Sequence, residues 1–302
     1  MVKDCKIGII SDEVFWLLDK FIDWAQKNEV KNCELRTVNG QYIQELSPSM
    51  AKQSALLLRK AGITVNALAA GLGKCDLANS EQVDKHLKMV PRLVENARIF
   101  GTNKIRLFAG WRCRDIPGTW DGIVAFCGRV LAELPDDMMF LVENEAATGC
   151  ASLSDVAVLC LSLKNDVRIA SLFDPGNYVY DTGTMNVLFR MGYGINDLIE
   201  AELKKYSRLI KIVHCKNATG GSLMTSRTAR TVGLGDGEID YRRLLKKLES
   251  LEVIAPLDLE PHRLEAGQQL SERTRATPGG EGYGSPVNAE HDLNVIRSIL
   301  TA

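Results

Sequence analysis

Histidine is scarce in this chain. Four residues, His86, His214, His262 and His291, are spread over 302 positions, so the place of each one is informative. No two cysteines stand in a C-x-x-C spacing. The eight of them, at 5, 33, 75, 113, 127, 150, 160 and 215, fall in apparent strands and helices. That scatter speaks against structural zinc or a disulfide framework and reads as reduced thiols used as small core residues. An excess of either charge is missing too: Lys+Arg 37 against Asp+Glu 38 leaves a formal net charge of -1. Neither a nucleic-acid backbone nor an anionic membrane is called for as a partner. No apolar run reaches the roughly 18 residues of a membrane span, and Met1–Lys6 lacks the apolar core of a signal peptide. The expected location is the cytoplasm.

Short β-branched runs, each ending in a polar residue, are what the chain does have. Met139–Glu143, Ile169–Asp174, Leu209–Asn217 and Ala255–Glu260 read as buried strands that deliver Glu143, Asp174, His214 and Glu260 at or near their ends. Around them the pattern alternates. Strands are expected at Lys6–Ile10, Asn32–Arg36, Ile63–Leu68, Lys104–Phe108 and then the four just named. Between them lie helices over Val14–Gln26, Ser47–Lys60, Ser80–Phe100, Trp120–Leu134, Leu153–Leu163, Ile195–Tyr206, Tyr241–Glu252 and Asn288–Leu300. Pro91 predicts a kink inside the third helix and Gly101 its end.

Eight strand–helix units in strict alternation imply a parallel sheet, and that number points to a single-domain (β/α)8 TIM barrel over residues 1–302. An open doubly wound sheet is the alternative. Two polar stretches, at 218–238 and about 261–287, sit where loops of the carboxyl face belong. The second is long enough to be a lid, an interface element or a disordered segment.

In a parallel barrel the carboxyl ends of the strands point into one mouth. Three carboxylates and an imidazole gathered there suit a hard divalent ion, and without one the carboxylates repel each other. Any one of the acids, taken singly, is equally well a helix cap or a surface ion pair.

The ordered set Val142-Glu143-Asn144, Phe173-Asp174-Pro175-Gly176-Asn177, Val213-His214-Cys215-Lys216-Asn217, Gly233–Tyr241 and Leu259-Glu260 resembles the xylose-isomerase-like superfamily of sugar isomerases and epimerases. That superfamily also holds inosose dehydratase and endonuclease IV. The resemblance implies one divalent ion held by Glu143, Asp174, His214 and Glu260, with Mn2+ first and Mg2+, Co2+ or Zn2+ as alternatives. It implies further that Glu143 and Glu260 are the proton-transfer pair. The physical reading agrees: a cation chelating the carbonyl and hydroxyl of a hydroxyketone acidifies the intervening C–H and stabilises an enediolate. The expected function is therefore a metal-dependent isomerase or epimerase of a keto-sugar or related polyol. A lyase on the same scaffold, eliminating water or an aglycone, is the alternative, and a non-catalytic sugar-binding subunit is the third reading.

Other residues have two readings each. Trp111 and Arg112 either wall the sugar pocket or sit in an exposed loop. Lys216 either steadies an oxyanion or is a surface lysine, and His262 either meets substrate oxygens or is a surface or capping residue. Asn177 stands where many epimerases carry a substrate-contacting histidine, which puts the full epimerase clamp in doubt. Glu145 rivals Glu143 as a ligand, and Glu34 with Arg36 is expected to form a structural ion pair. His86 and His291 are expected to be solvated. Gly233-x-Gly235-x-Gly237 lacks the spacing and the place of a nucleotide loop. The absence of histidine after the third and fourth strands argues against a multi-zinc nuclease. Association with further copies of the chain stays open.

Overall fold

The alternation in the sequence resolves into a closed barrel. The computed structural model describes residues 6–112, 119–220, 229–263 and 285–302. Its eight strands are β1 (Ile7–Ile10), β2 (Asn32–Leu35), β3 (Thr64–Leu68), β4 (Lys104–Leu107), β5 (Met139–Glu143), β6 (Ile169–Phe173), β7 (Ile210–Cys215) and β8 (Leu257–Leu259). Each pairs in parallel with the next, and β1 closes on β8 through Ile7↔Leu257, Gly8↔Asp258 and Ile9↔Leu259. The open-sheet alternative falls with that closure. Strands buried on both faces explain the near-continuous apolar runs.

The helices begin and end where local chemistry dictates. Ser47 accepts a hydrogen bond from the Met50 amide at the head of Pro48–Lys60, and Ser152 with Asp155 forms a capping box on Leu153–Ser162. Pro91 does more than kink its helix. It sits in the first turn of a separate helix, Val90–Phe100, and the preceding one ends at Leu87. A proline ring is tolerated in a first turn, where its missing N–H would be unpaired anyway, so the chain breaks and restarts. Gly101 ends the second helix at φ 76° as expected.

Elements that periodicity did not mark include helices Asn177–Tyr180 and Thr182–Met191, and the antiparallel pairs Thr37–Val38 with Gln41–Tyr42 and Asn217–Thr219 with Arg230–Val232. The last pair corrects the expectation of a plain loop over 218–238. Of the long polar segment, 264–284 lies outside the described residues. Cys33, Cys75, Cys127, Cys150, Cys160 and Cys215 are buried thiols with no disulfide among the described residues. No described helix is long and apolar enough to cross a membrane.

Most of the core lies between the barrel wall and the helices. A smaller apolar cluster, Ala67, Leu141, Ala170, Leu172 and Ile212, fills part of the barrel interior. At the carboxyl face, Gly73 has φ +87°, and a Cβ there would stand 1.9 Å from the Phe108 carbonyl oxygen. Gly73→Ala therefore strains the backbone and forces the loops after β3 and β4 apart. We expect a loss of about 1–3 kcal/mol in urea unfolding; an unchanged midpoint would contradict this packing.

Candidate metal centre

The carboxyl ends of β5 to β8 bring Glu143, Asp174, His214 and Glu260 together. Ligand atoms of all four lie within 4.8 Å of one another, and all four side chains are buried. Two asparagine contacts set the strand ends: Asn144 Nδ2 donates to the Asp174 carbonyl at 2.7 Å, and the Asp174 amide donates to Asn144 Oδ1 at 2.8 Å. This reciprocal pair locks β5 to β6 just where the two acids leave the wall. On β7, Tyr241 Oη donates to the Lys216 carbonyl at 2.8 Å, and Asn217 gathers the following loop through Leu234 and Ile239.

Each carboxylate has its own partners. Glu143 accepts from Arg106 Nη1 at 2.9 Å and from Asn177 Nδ2 at 3.2 Å. Lys216 Nζ lies 2.6 Å from Asp174 Oδ2 and 2.9 Å from Glu260 Oε2. His214 Nε2 is 3.0 Å from Glu34 Oε1. Its Nδ1 has no aligned hydrogen bond and faces Glu260 Oε2 at 3.4 Å and Glu143 Oε1 at 3.8 Å.

Burial and neighbouring charges compete within the cluster. Burial pushes Glu260 up, but the Lys216 ammonium and His214 outweigh it and hold the carboxyl well below the usual range. Burial works against charge on Lys216 and His214, and their carboxylate neighbours override it, so both are raised well above their ordinary values. Asp174 is left as the group without enough compensation: burial raises it to about 7 in spite of Lys216. Three hard oxygen donors and an imidazole nitrogen aimed at them without a partner fit a divalent cation. This buried cluster of acids with a histidine can bind a metal ion.

Above the cluster opens a cavity of about 1010 Å³. Arg36, Lys74, Arg106, Glu143, Glu145, Asn177, Tyr180, Lys216, Glu260 and His262 are among its lining residues. Lys216, Asn177 and His262 thus lie on the wall, whereas Trp111 does not line it. Trp111 is 42% exposed, and Arg112 pairs with Asp181 at 3.4 Å. Glu145 turns to Lys74 at 3.1 Å and stays out of the cluster. His262 has φ 41° and is gripped by one buried carboxylate: its amide donates to Glu13 Oε2 at 2.8 Å, and its Nδ1 lies 3.1 Å from Glu13 Oε1.

Two expectations are corrected. Glu34 and Arg36 do not pair with each other. Both point into the barrel, where Glu34 meets His214 and Arg36 meets Asp12 and Glu13 at 3.1 and 2.7 Å. Their spacing of two on one strand puts both on the interior face, a signal the sequence did carry. His86 is not simply solvated, since its Nδ1 accepts from the Gly73 amide at 3.0 Å and ties down the loop after β3. His291 is exposed as expected, while lying 2.9 Å from Asp292. Arg106, Glu13 and Asp12 were missed because an isolated charge inside or just after a strand has no motif to announce it. Gly237 packs its α-carbon against Asn217, where a Cβ would stand 2.1 Å from Oδ1, which accounts for that glycine by close packing.

Arg36 and His262 together outweigh burial and bring Glu13 down to about 2 from its ordinary 4.5. Between these values the native protein holds fewer protons than the unfolded chain. The associated stability is complete above pH 4.5 and is lost as pH falls towards 2. It is on the order of 3 kcal/mol. Unfolding of the wild type should weaken between about pH 6 and about pH 3 by more than that of Glu13→Gln; equal slopes would contradict the pairing.

The family model described as "Xylose isomerase-like TIM barrel" matches residues 22–282. No curated protein matches the chain. Among solved structures, a xylose isomerase domain protein from Planctomyces limnophilus superposes with TM-score 0.71 at 16% identity, covering 98% of this chain and 96% of that one. An L-ribulose 3-epimerase follows with TM-score 0.69 at 13% identity, over 98% and 95%. The probable 3-DHS dehydratase AsbF from Bacillus anthracis has TM-score 0.66 at 15% identity, over 97% and 98%. At these identities the structural likeness speaks for the fold, while the match over 22–282 carries the family. The chain belongs to the xylose isomerase-like TIM barrel family.

Proposed function

We propose that the protein is a divalent-metal-dependent isomerase or epimerase acting on a keto-sugar or related polyol by proton transfer through an enediolate. The observation that carries this is the convergence of Glu143, Asp174, His214 and Glu260 within 4.8 Å at the base of a polar cavity. These four residues hold the ion, for which Mn2+ is the first candidate, and when bound it polarises the substrate carbonyl and acidifies the neighbouring C–H.

The rest is done by side chains. Glu143 and Glu260 leave β5 and β8, three strands apart around the barrel, so they reach the cavity from different parts of its wall and serve as the pair that takes and returns a proton. Lys216 stands beside Glu260 and Asp174, where an ammonium opposes the negative charge that develops on substrate oxygen. His262, anchored by Glu13, presents its ring to the cavity beside Glu260. Asn177 keeps Glu143 in place where a histidine would instead meet the substrate.

A lyase is the second reading. Lys216 and His262, polar side chains close to Glu260 that a leaving oxygen could meet, favour it, and so does the dehydratase named among the structural neighbours. The two reactions share the abstraction and differ in whether a β-group leaves.

Purified protein should carry about one divalent ion per chain, and His214→Ala should weaken Mn2+ binding by more than about 100-fold. Incubation of the Mn2+-loaded protein with ketohexoses or inosose in D2O should introduce deuterium next to the carbonyl. Exchange without loss of water or aglycone supports the isomerase, and release of either supports the lyase. A wild type that binds no divalent ion would overturn both.

A further inference from the structure

Beneath the metal cluster the barrel interior is divided. One part holds the apolar cluster of Ala67, Leu141, Ala170, Leu172 and Ile212. The other holds a column of polar side chains. Asp258 lies two residues before Glu260 on the same inward face of β8, hence about 6–7 Å deeper. Asn66 Nδ2 donates to both of its oxygens, at 2.8 and 3.1 Å. Asp258 and Glu34 are neighbouring buried carboxyls, and Glu34 Oε1 meets His214 Nε2 at 3.0 Å. Glu34, Asp258 and His214 are all 0% exposed. β1 makes room by having no side chain at this level: a Cβ on Gly8 would stand 2.0 Å from Asp258 Oδ1.

A column of this kind is a poor way to hold a barrel together. Burying carboxylates costs more than burying the aliphatic side chains that fill the other part of the same interior. What the column does accomplish is local. An imidazole has two nitrogens, and a carboxylate gripping one decides which is left to face a ligand.

We propose that Glu34 is a positioning residue of the metal centre: it holds Nε2 of His214 so that Nδ1 is the nitrogen presented to the ion. This rests on the metal reading given above. Three distances support it: the grip at 3.0 Å, and Nδ1 standing 3.4 and 3.8 Å from Glu260 and Glu143.

The test is Mn2+ titration of the full chain carrying Glu34→Gln or Glu34→Ala, alongside histidine-labelled 15N spectra of the protein loaded with diamagnetic Zn2+. With four histidines in the chain, the ring signals can be assigned one by one. In the wild type, Nδ1 of His214 should bear the metal and Nε2 the proton. Both variants should bind Mn2+ about 10- to 100-fold more weakly, while the signals of His86, His262 and His291 stay in place to report an intact fold. A merely structural role would shift those three signals or lower the melting temperature and leave the affinity of the folded fraction untouched. Variants binding Mn2+ within about twofold of the wild type would overturn the proposal. So would a wild-type spectrum with Nε2 on the metal, which decides the matter even if neither variant folds. A wild type that takes up neither ion fails the metal reading itself, an outcome distinct from full affinity in the variants.

Discussion

Burying three carboxylates at the mouth of a barrel is the constraint on which the rest of this structure turns. Burial weakens their screening by solvent, so each needs a cation or a hydrogen-bond donor at contact distance. Arg106 serves Glu143, Lys216 serves Glu260, and both cations are themselves buried. The chain therefore holds a compact block of opposite charges that no side chain can leave alone without stranding its partner. Burial still outweighs Lys216 at Asp174 and pushes it up to about 7. A divalent cation held there would offset that burial more completely than a proton does, because all three carboxylates could then stay ionised.

The barrel makes such a block tolerable. Parallel strands end together at one face, and short polar contacts between neighbouring ends fix the side chains that leave them. Asn144 ties β5 to β6, and Gly176 lets the turn after Asp174 approach the backbone after β7, where a Cβ would stand 2.5 Å from the Lys216 carbonyl. Rigid wall strands thus carry the four clustered side chains, while longer segments contribute the cavity rim. Positions on strands suffer less displacement than positions on loops, which matters for groups that must stay within an ångström or so of a common point.

How much of this was readable beforehand follows from the range of each signal. Apolar runs and helix caps are local, so the eight strands and most helices were placed to within a few residues. The four clustered residues were found because each sits at a strand end and because they recur in one order. Pairings across the barrel have no local signature. Glu34 to His214 spans 180 positions and Asn66 to Asp258 spans 192, and nothing in either neighbourhood names the other. The mistaken Glu34–Arg36 pair came from taking sequence proximity for contact, when both side chains cross the interior to more distant partners. Pro91 misled for a different reason: a proline in a periodic stretch marks a kink or a restart equally well until the turn before it is known.

The two glutamates of the cluster are not equivalent, and this bears on the proposed reaction. Glu143 is held on both oxygens, by Arg106 on one and by Asn177 on the other. Glu260 is held firmly on Oε2 alone, since Arg36 and His262 stand 3.8 and 3.9 Å from Oε1. Swinging Glu143 towards a substrate breaks a charge-assisted pair in a buried setting, whereas Glu260 can turn Oε1 to a substrate and keep Lys216 on Oε2. Within an enediolate mechanism, Glu260 is thus the side chain with freedom to follow a moving proton. On the proposed mechanism, Glu143 would exchange its proton from a more fixed position. Lys216 and His262 also stand on the side of the freer carboxylate, where on the proposed reading a departing hydroxyl or a substrate oxygen would meet them.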